Sequence, residues 1–182
     1  MPPDAPAPTF ADAVRRLARE IALLEPGPLA ELRRLDPEAP PAAFWRLVHR
    51  CDLAAAHRDL RGWERLARAL AVLTPTGRDP SKRPAHDGAA PLGRVVADAG
   101  VSEQRVMRLL AAAPPQRREI LARLCRRLAR ADMRLDAVQL GRLMIDDQAG
   151  ETLRRLASDY YGAQAEAAPA KPAPTEKEPA DV

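Results

Sequence analysis

Cysteine is scarce in this chain of 182 residues, which contains only Cys51 and Cys125. Two cysteines do not supply the disulfide framework of a small secreted domain, so we expect a reducing, cytoplasmic environment. No apolar run approaches the roughly 20 residues that a membrane-spanning helix needs. The start of the chain also lacks the basic residues and the apolar stretch of a signal peptide. The sequence therefore predicts a cytoplasmic protein with no membrane partner.

Motifs that carry catalysis or bind cofactors are missing as well. The chain has no Gly-rich phosphate loop, no Walker lysine, no HExxH, no CxxC and no Gly-x-Ser-x-Gly elbow. His49 and His57 lie eight residues apart, without a cysteine or carboxylate at the spacing of a metal site. Asp146 and Asp147 are adjacent, and adjacent residues of a helix point in different directions. We therefore predict no enzymatic activity, no metal and no cofactor.

Aromatic residues make up only 3% of the chain, and no stretch alternates apolar and polar residues as a strand does. Phe44 and Trp45 have the chemistry to stack on bases, but a chain with so few aromatics needs most of them for its core. Apolar residues instead recur at helical spacing, as they do from Phe10 to Leu24. The predicted fold class is all-α, with about eight or nine helices.

Proline-rich and glycine-rich stretches divide the chain. The segment 74–91 combines proline, glycine and small polar residues, which is typical of a long mobile loop, here between two small helical lobes. Both ends of the chain are rich in proline and lack an apolar stripe, which favours disorder. We predict a disordered lead at 1–8, an N-terminal helical lobe at 9–73, the loop at 74–91, a C-terminal helical lobe at 92–162 and a disordered tail at 163–182.

Arginine outnumbers lysine by 26 to 3, a bias that a GC-rich genome also produces. The charges are nevertheless separated along the chain, because residues 1–130 carry a net charge of +8 and residues 131–182 a net charge of −4. The stretch 92–130 contains nine arginines against three acids. Such a concentration of positive charge favours a polyanionic partner.

The second half of that stretch predicts a helix that opens at two prolines, 114 and 115. Its apolar stripe would consist of Ile120, Leu121, Leu124 and Leu128. Outside the stripe, arginines three or four residues apart stack along the helix: Arg123, Arg126, Arg127 and Arg130. Such a row fits the phosphates of a sugar-phosphate backbone without reading bases. An arginine-rich face is equally typical of a solvated helix surface, and the residues alone leave both interpretations open.

Five segments, taken in order, carry a resemblance to a known family. They are AAFWRLV at 42–48, LRGWERLARAL at 60–70, PLGRVVADAGVSEQRVMRLL at 91–110, LARLCRRLA at 121–129 and LDAVQLGRLM at 135–144. With this set the chain resembles the small subunit of the type I-E CRISPR surveillance complex Cascade, the CasB family, across residues 10–161. The most telling part is LGR, a small-residue helix, a glycine turn and SEQR, followed by a basic helix.

The resemblance implies an all-helical, non-catalytic subunit that is present as a pair, with the backbone and large subunits of Cascade as its other protein partners. Members of the family hold the backbone of guide RNA and target DNA, and they steady the displaced non-target strand of the R-loop in antiviral defence. Cleavage belongs to a separate nuclease-helicase. Because base pairing supplies the sequence specificity in RNA-guided systems, many arginines and few free aromatics suit this role.

The resemblance also implies contacts at individual arginines. The positions that match basic positions on the family's nucleic-acid face are Arg34, Arg61, Arg94, Arg105, Arg126 and Arg142. Spacing alone adds Arg33, Arg123, Arg127 and Arg130. Arg94 and Arg142 stand beside glycines, where an arginine also often braces a neighbouring helix. Relatives tend to have basic residues where this chain has Asp146, Asp147 and Glu151, and this departure weakens the expectation of a contact from the last helix.

Two other functional classes remain open. A helical DNA-binding regulator would insert a helix pair, such as 92–112, into the major groove. A protein-interaction subunit would instead pair its arginines with acidic patches of partner proteins. Binding that depends on duplex and base sequence would indicate the first class, and indifference to nucleic acid would indicate the second.

Overall fold

The computed structural model describes residues 8–36, 38–77, 79–83, 85–88, 90–131 and 133–167. Over these residues the chain forms ten α-helices, one turn of 3-10 helix at Pro80–Lys82 and no β-strand. The helices are α1 (Phe10–Ala22), α2 (Pro26–Arg33), α3 (Ala42–Arg50), α4 (Leu53–Ala56), α5 (Leu60–Leu73), α6 (Leu92–Asp98), α7 (Glu103–Ala111), α8 (Pro114–Leu128), α9 (Ala137–Ile145) and α10 (Gly150–Ala167). The prediction of an all-α fold is confirmed, and the predicted eight or nine helices are close to the ten observed.

The helix that periodicity did not predict is α4, which is one turn long. Asp52, the residue before it, has a left-handed backbone conformation with a φ of 52°, and this separates α4 from α3. Only Leu53 of α4 is buried. A helix of four residues is too short to show an apolar period.

Side-chain caps define the starts of α1, α5 and α9. The hydroxyl oxygen of Thr9 accepts a hydrogen bond from the backbone N–H of Asp12 at 3.2 Å at the start of α1. The carboxylate of Asp59 accepts one from the N–H of Gly62 at 2.9 Å at the start of α5. Each cap satisfies an amide that the first turn of a helix leaves without a partner.

Helix α5 lies at the centre of the structure, in contact with α1, α2, α8 and α9. Its residues Trp63 and Leu70 have no exposed surface. At Gly62 it approaches α9 so closely that a Cβ atom would lie 2.9 Å from the side chain of Ile145. Helix α5 therefore connects elements that come before and after the loop at 74–91.

Helix α1 packs on both α5 and α9. Its residues Val14, Leu17 and Ile21 are fully buried. A Cβ atom at Gly141 of α9 would lie 3.2 Å from Val14 and 3.4 Å from Phe10, so the glycine lets α1 and α9 meet closely. The first helix is thus part of the core and not an appendage.

The loop at 74–91 is tied to the helices around it in its described part. Arg83 is buried, and its Nη1 donates a hydrogen bond to the carbonyl of Leu24, just past α1, at 2.6 Å. The backbone N–H of Asp136 donates to the carbonyl of Ala90 at 2.7 Å. One cluster of buried apolar side chains includes residues of α1, α5, α8 and α9. The division of the chain into two lobes stays a prediction.

Helices α6 and α10 pack with their backbones close together. A Cβ atom at Gly93 would lie 2.8 Å from Cβ of Asp159 and 2.9 Å from the backbone nitrogen of Tyr160, and it would collide with the carbonyl of Leu156. Helix α8 packs on α5 and α9, while α7 contacts α8 and α10. This arrangement sets α7 beside α8 at one side of the molecule.

Helix α10 continues to Ala167, so residues 163–167, for which composition predicted a disordered tail, are helical. Ala163 is buried, and the amide of Gln164 donates to the hydroxyl of Tyr160 at 2.7 Å. Composition does not reveal such contacts. The predicted lead up to residue 7 and the predicted tail from residue 168 lie outside the described residues.

Candidate nucleic-acid interface

Helix α8 and the residues just past it carry four of the ten candidate arginines. Pro114 and Pro115 occupy its first turn, where their missing N–H groups would have had no partner. The buried side of the helix consists of Arg117, Leu121, Leu124, Cys125 and Leu128. The four arginines predicted to lie outside the apolar stripe are exposed: Arg123, Arg126, Arg127 and Arg130. Arg117 is only 4% exposed and does not belong to this row.

Helices α7 and α8 enclose a groove of about 700 Å³. Six arginines line it, two from α7 and four from α8 and its C-terminal end: Arg105, Arg108, Arg123, Arg126, Arg127 and Arg130. The only acidic residue among the described lining residues is Glu119. We call this surface the basic groove. Six guanidinium groups against one carboxylate make it a strong attractor of anions.

The floor of the basic groove is apolar. It is formed by buried side chains that include Val96, Val101, Val106 and Leu109. The lining arginines are exposed and therefore form the rim. Among the described residues that line the groove there is no aromatic ring. A strand lying in it would meet charge at the rim and no platform for stacking bases.

The rim arginines differ in their partners. Arg127 donates through Nη2 to the carbonyls of Ala99 at 3.3 Å and Gly100 at 3.0 Å. Arg123 pairs with Glu119, one turn earlier on α8, at 3.4 Å. Within the described part of the chain, no hydrogen bond or ion pair engages the guanidinium groups of Arg105, Arg108, Arg126 and Arg130. These four charges are available to a ligand.

The fold brings five of the ten predicted site residues together in this groove: Arg105, Arg123, Arg126, Arg127 and Arg130. Arg108 joins them, although it was predicted only as one of the nine arginines of the stretch 92–130. Spacing was the signal that could have found it, because Arg105 and Arg108 lie three residues apart on one helix and so share a face. A single sequence does not show that this face turns toward α8.

Arg33 lies outside the groove, and its guanidinium is engaged by the fold. It is half-buried, its Nε donates to the carbonyl of Ala71 at 2.8 Å, and its Nη2 donates to the carbonyl of Thr74. Burial, together with the nearby Arg83, lowers the pKa of Arg33. The two carbonyls lie at the C-terminal end of α5, where unpaired carbonyls and the helix dipole favour a cation. Arg33 therefore ties α2 to α5.

The other four predicted residues are exposed and lie outside the basic groove: Arg34, Arg61, Arg94 and Arg142. Arg94 pairs with Glu166 of α10 at 2.8 Å. Arg61 lies 4.0 Å from Glu38. A part for these four in nucleic-acid binding stays a prediction.

Groups with catalytic or metal-binding chemistry are scattered over the described residues. No set of three or more His, Cys, Asp or Glu side chains in that part of the chain is placed to hold a metal ion. His57 accepts a hydrogen bond at Nδ1 from the backbone N–H of Asp59 at 3.1 Å. Burial raises the pKa of Cys51 to about 11 and that of Cys125 to about 12, which keeps both thiols protonated at neutral pH. None of the described helices has the length and apolar character needed to cross a membrane.

The family model of CRISPR-associated protein Cse2 matches residues 28–161, well over half of the chain. This chain belongs to the Cse2 family. The predicted resemblance to the small subunit of type I-E Cascade is thereby confirmed. No curated protein and no solved structure matches the chain.

The Cse2 match contains both walls of the basic groove, since it includes all of α7 and α8. Cse2 is a family of structural Cascade subunits, so this Cse2-family protein is a small subunit that works in a complex with others. Helix α1 lies before the matched segment, although it packs on α5 and α9 inside it.

Proposed function

We propose that this Cse2-family protein holds sugar-phosphate backbones within Cascade, and that the basic groove is the surface that does so. The strands are those of the guide RNA and target DNA, together with the displaced non-target strand of the R-loop. The observation that carries the proposal is the convergence of six arginines from two helices on one groove that contains a single carboxylate.

Charge and geometry both suit phosphate. A guanidinium group is always protonated and presents paired N–H donors that match two phosphate oxygens. Arg123 and Arg126 lie about 4.5 Å apart along the axis of α8, given a rise of about 1.5 Å per residue. A B-form strand carries a phosphate about every 3.4 Å of axis, so this distance is close to the spacing of neighbouring phosphates.

The groove favours backbone contact over the reading of bases. Its described lining offers no aromatic ring, and its buried floor is made of aliphatic side chains without hydrogen-bonding groups. Sequence readout requires donors and acceptors that reach base edges. In an RNA-guided complex this is no handicap, because base pairing already supplies the specificity.

Further contacts are proposed outside the groove, at the exposed residues Arg34, Arg61, Arg94 and Arg142. Arg94 would exchange its partner Glu166 for a phosphate. For Arg33 we propose a structural part and no contact with phosphate, because its donors are engaged by carbonyls of α5 and the loop. The proposed protein partners are the backbone and large subunits of Cascade and a second copy of this chain.

The test is fluorescence anisotropy with labelled single-stranded DNA, single-stranded RNA and duplex DNA of unrelated sequences, at low and high salt. The test variant is Arg126→Glu with Arg130→Glu. The matched control is Arg68→Glu with Arg155→Glu, which changes the net charge equally at exposed positions outside the groove. We expect the protein to bind single strands of any sequence, and the test variant to lose roughly tenfold or more in affinity with a shallower salt dependence.

Other outcomes would reject the proposal. Equal losses of affinity in the test and control variants would show that the overall net charge of the protein, and not the basic groove, drives binding. Sequence-dependent binding to duplex alone would indicate a DNA-binding regulator, although Arg105 and Arg108 of α7 line a groove that α8 closes and do not stand free for a major groove. No binding to strands by the protein, alone or assembled in Cascade, would indicate a protein-interaction subunit.

A further inference from the structure

Arg127 differs from the other rim arginines because it donates hydrogen bonds to backbone carbonyls of a neighbouring turn. Its Nη2 reaches from α8 to the carbonyls of Ala99 and Gly100, at 3.3 Å and 3.0 Å, in the turn between α6 and α7. The next carbonyl along the chain, that of Val101, accepts a hydrogen bond from the hydroxyl of Tyr160 on α10 at 2.7 Å. Two side chains from two other helices thus hold three consecutive carbonyls of this turn.

The turn leads directly into α7, which is one wall of the basic groove. Gly100 has a φ of +63°, a left-handed conformation that glycine adopts without strain. Helix α7 has nine residues, of which only Val106 and Leu109 are buried, and Ser102 before it makes no side-chain cap bond. Few apolar contacts hold the helix itself, and its side-chain bond to α10 comes from the hydroxyl of the exposed Tyr161, which donates to Glu103 at 3.0 Å. The turn that precedes α7 therefore contributes strongly to its position.

We infer that Arg127 is a positioning residue of the basic groove and not one of its phosphate ligands, an inference that rests on the proposed function. By holding the turn from α8, Arg127 sets the place of α7. The place of α7 in turn sets the distance at which Arg105 and Arg108 face Arg126 across the groove. Arg126 has no such bond to a described residue and is free to meet phosphate.

Tyr160 holds the same turn from α10. Its side chain has no exposed surface, and its hydroxyl also accepts a hydrogen bond from the amide of Gln164 at 2.7 Å. A ligand in the basic groove cannot touch it. A defect in strand binding that Tyr160 shares with Arg127 would therefore come from the turn and not from a lost contact with phosphate.

The test combines a double-mutant cycle with hydrogen exchange. Arg127→Met and its neighbour control Arg126→Met are each made in the natural chain and in a chain that carries Arg105→Met and Arg108→Met. A positioning residue acts through the α7 arginines, so Arg127→Met should weaken binding of labelled single-stranded DNA by roughly tenfold in the natural chain and by less than about twofold in the second background. Arg126→Met should weaken binding by the same factor in both backgrounds.

Hydrogen exchange of the amides at 101–109 supplies the second readout. Arg127→Met and Tyr160→Phe should both speed this exchange and weaken binding, whereas Arg126→Met should leave the exchange unchanged. Equal losses for Arg127→Met in both backgrounds, with unchanged exchange, would make Arg127 a phosphate ligand and overturn the inference. If the natural chain binds no strand, either alone or assembled in Cascade, the proposed function fails. Unchanged exchange in Arg127→Met would separately show that Arg127 does not hold the turn, and would overturn the inference.

Discussion

Arg118 of α8 forms an ion pair with Asp147, which lies just past the end of α9. The same guanidinium donates through Nε to the carbonyl of Met144 in the last turn of α9 at 3.1 Å. Asp147 is one of the acids that weakened the expectation of a nucleic-acid contact from the last helix. In this chain Asp147 pairs with Arg118, and the ion pair links α8 to the end of α9.

Loss of Arg118 should therefore destabilise the protein more than loss of its partner's charge. The Arg118 side chain is 21% exposed and that of Asp147 is 60% exposed, so solvent screens the carboxylate strongly. We expect Arg118→Met to lower the free energy of unfolding by about 1–2 kcal/mol, because the Met144 carbonyl also loses its donor. Asp147→Asn should cost less than about 1 kcal/mol. Urea unfolding measures both, and the reverse order would contradict this account.

Gly93 should tolerate no side chain. Gly93→Ala would place a methyl group against the carbonyl of Leu156 and force α6 away from α10. We expect a loss of roughly 2 kcal/mol or more in unfolding free energy, as for other overpacked sites. The control is Gly162→Ala on α10, where a Cβ atom meets nothing within 4 Å. That change should be neutral or should stabilise by up to about 1 kcal/mol, since alanine favours helix. Thermal melts that rank the two variants equally would refute the prediction.

Arg33 and Arg34 are neighbours whose loss should affect the stability of the protein differently. Arg33→Met removes the donors to the Ala71 and Thr74 carbonyls and should cost about 2 kcal/mol of stability, while leaving strand affinity within about twofold. Arg34 is exposed, so Arg34→Met should change stability by less than about 0.5 kcal/mol. Unfolding curves and anisotropy titrations on the same two proteins check this. A stable Arg33→Met protein that had lost strand binding would restore Arg33 to the interface.

Glu119 should oppose binding at the basic groove. It is the one acid among the described lining residues and it pairs with Arg123 at 3.4 Å. Glu119→Gln removes a charge that repels phosphate and frees a guanidinium group, so affinity for single strands should rise roughly two- to fivefold. The pair is exposed, so stability should change by less than about 1 kcal/mol. Weaker binding by Glu119→Gln would mean that the carboxylate orients Arg123 for its ligand.

The free energy of unfolding should decrease in alkaline solution because of the two buried thiols, Cys51 and Cys125. Burial raises the pKa of Cys51 from 9.0 to about 11 and that of Cys125 to about 12. Above about pH 9 the unfolded chain releases these protons while the folded chain keeps them, so stability that is fully present below about pH 9 is lost as pH rises toward the folded values.

A chain with Cys51→Ala and Cys125→Ala should lose less stability than the natural chain between about pH 8 and about pH 10.5, because it lacks both thiols. Urea midpoints at the two pH values measure the difference. Burial also raises the pKa of Tyr160, which is present in both proteins and contributes equally to them. Equal losses in the two chains would show that the thiols do not contribute.

Periodicity was sufficient to predict the helices apart from α4, because each of the others has an apolar pattern longer than one turn. It also predicted that Leu121, Leu124 and Leu128 lie on the buried side of α8. It did not predict the last turn of α10, where the burial of Ala163 is a tertiary effect in a segment whose composition resembles a linker.

The candidate site could be predicted only in part. Arg123 and Arg126 share a helix, so spacing places them together. Arg105 meets them only because α7 packs beside α8, and a single sequence contains no signal for that pairing. Nor does it distinguish Arg33, which turns toward α5, from the exposed Arg34. Spacing does indicate the burial of Arg117, because it lies four residues before Leu121 and therefore on the same stripe.

The packing of α1 has a practical consequence. The segment that matches the Cse2 family starts at residue 28, yet Phe10 and Val14 lie within 3.4 Å of where a side chain at Gly141 would stand. A protein trimmed to the matched segment would expose the apolar faces of α5 and α9 that α1 now covers, and such faces promote aggregation. The edge of the family match is therefore a poor guide to where this chain can be cut.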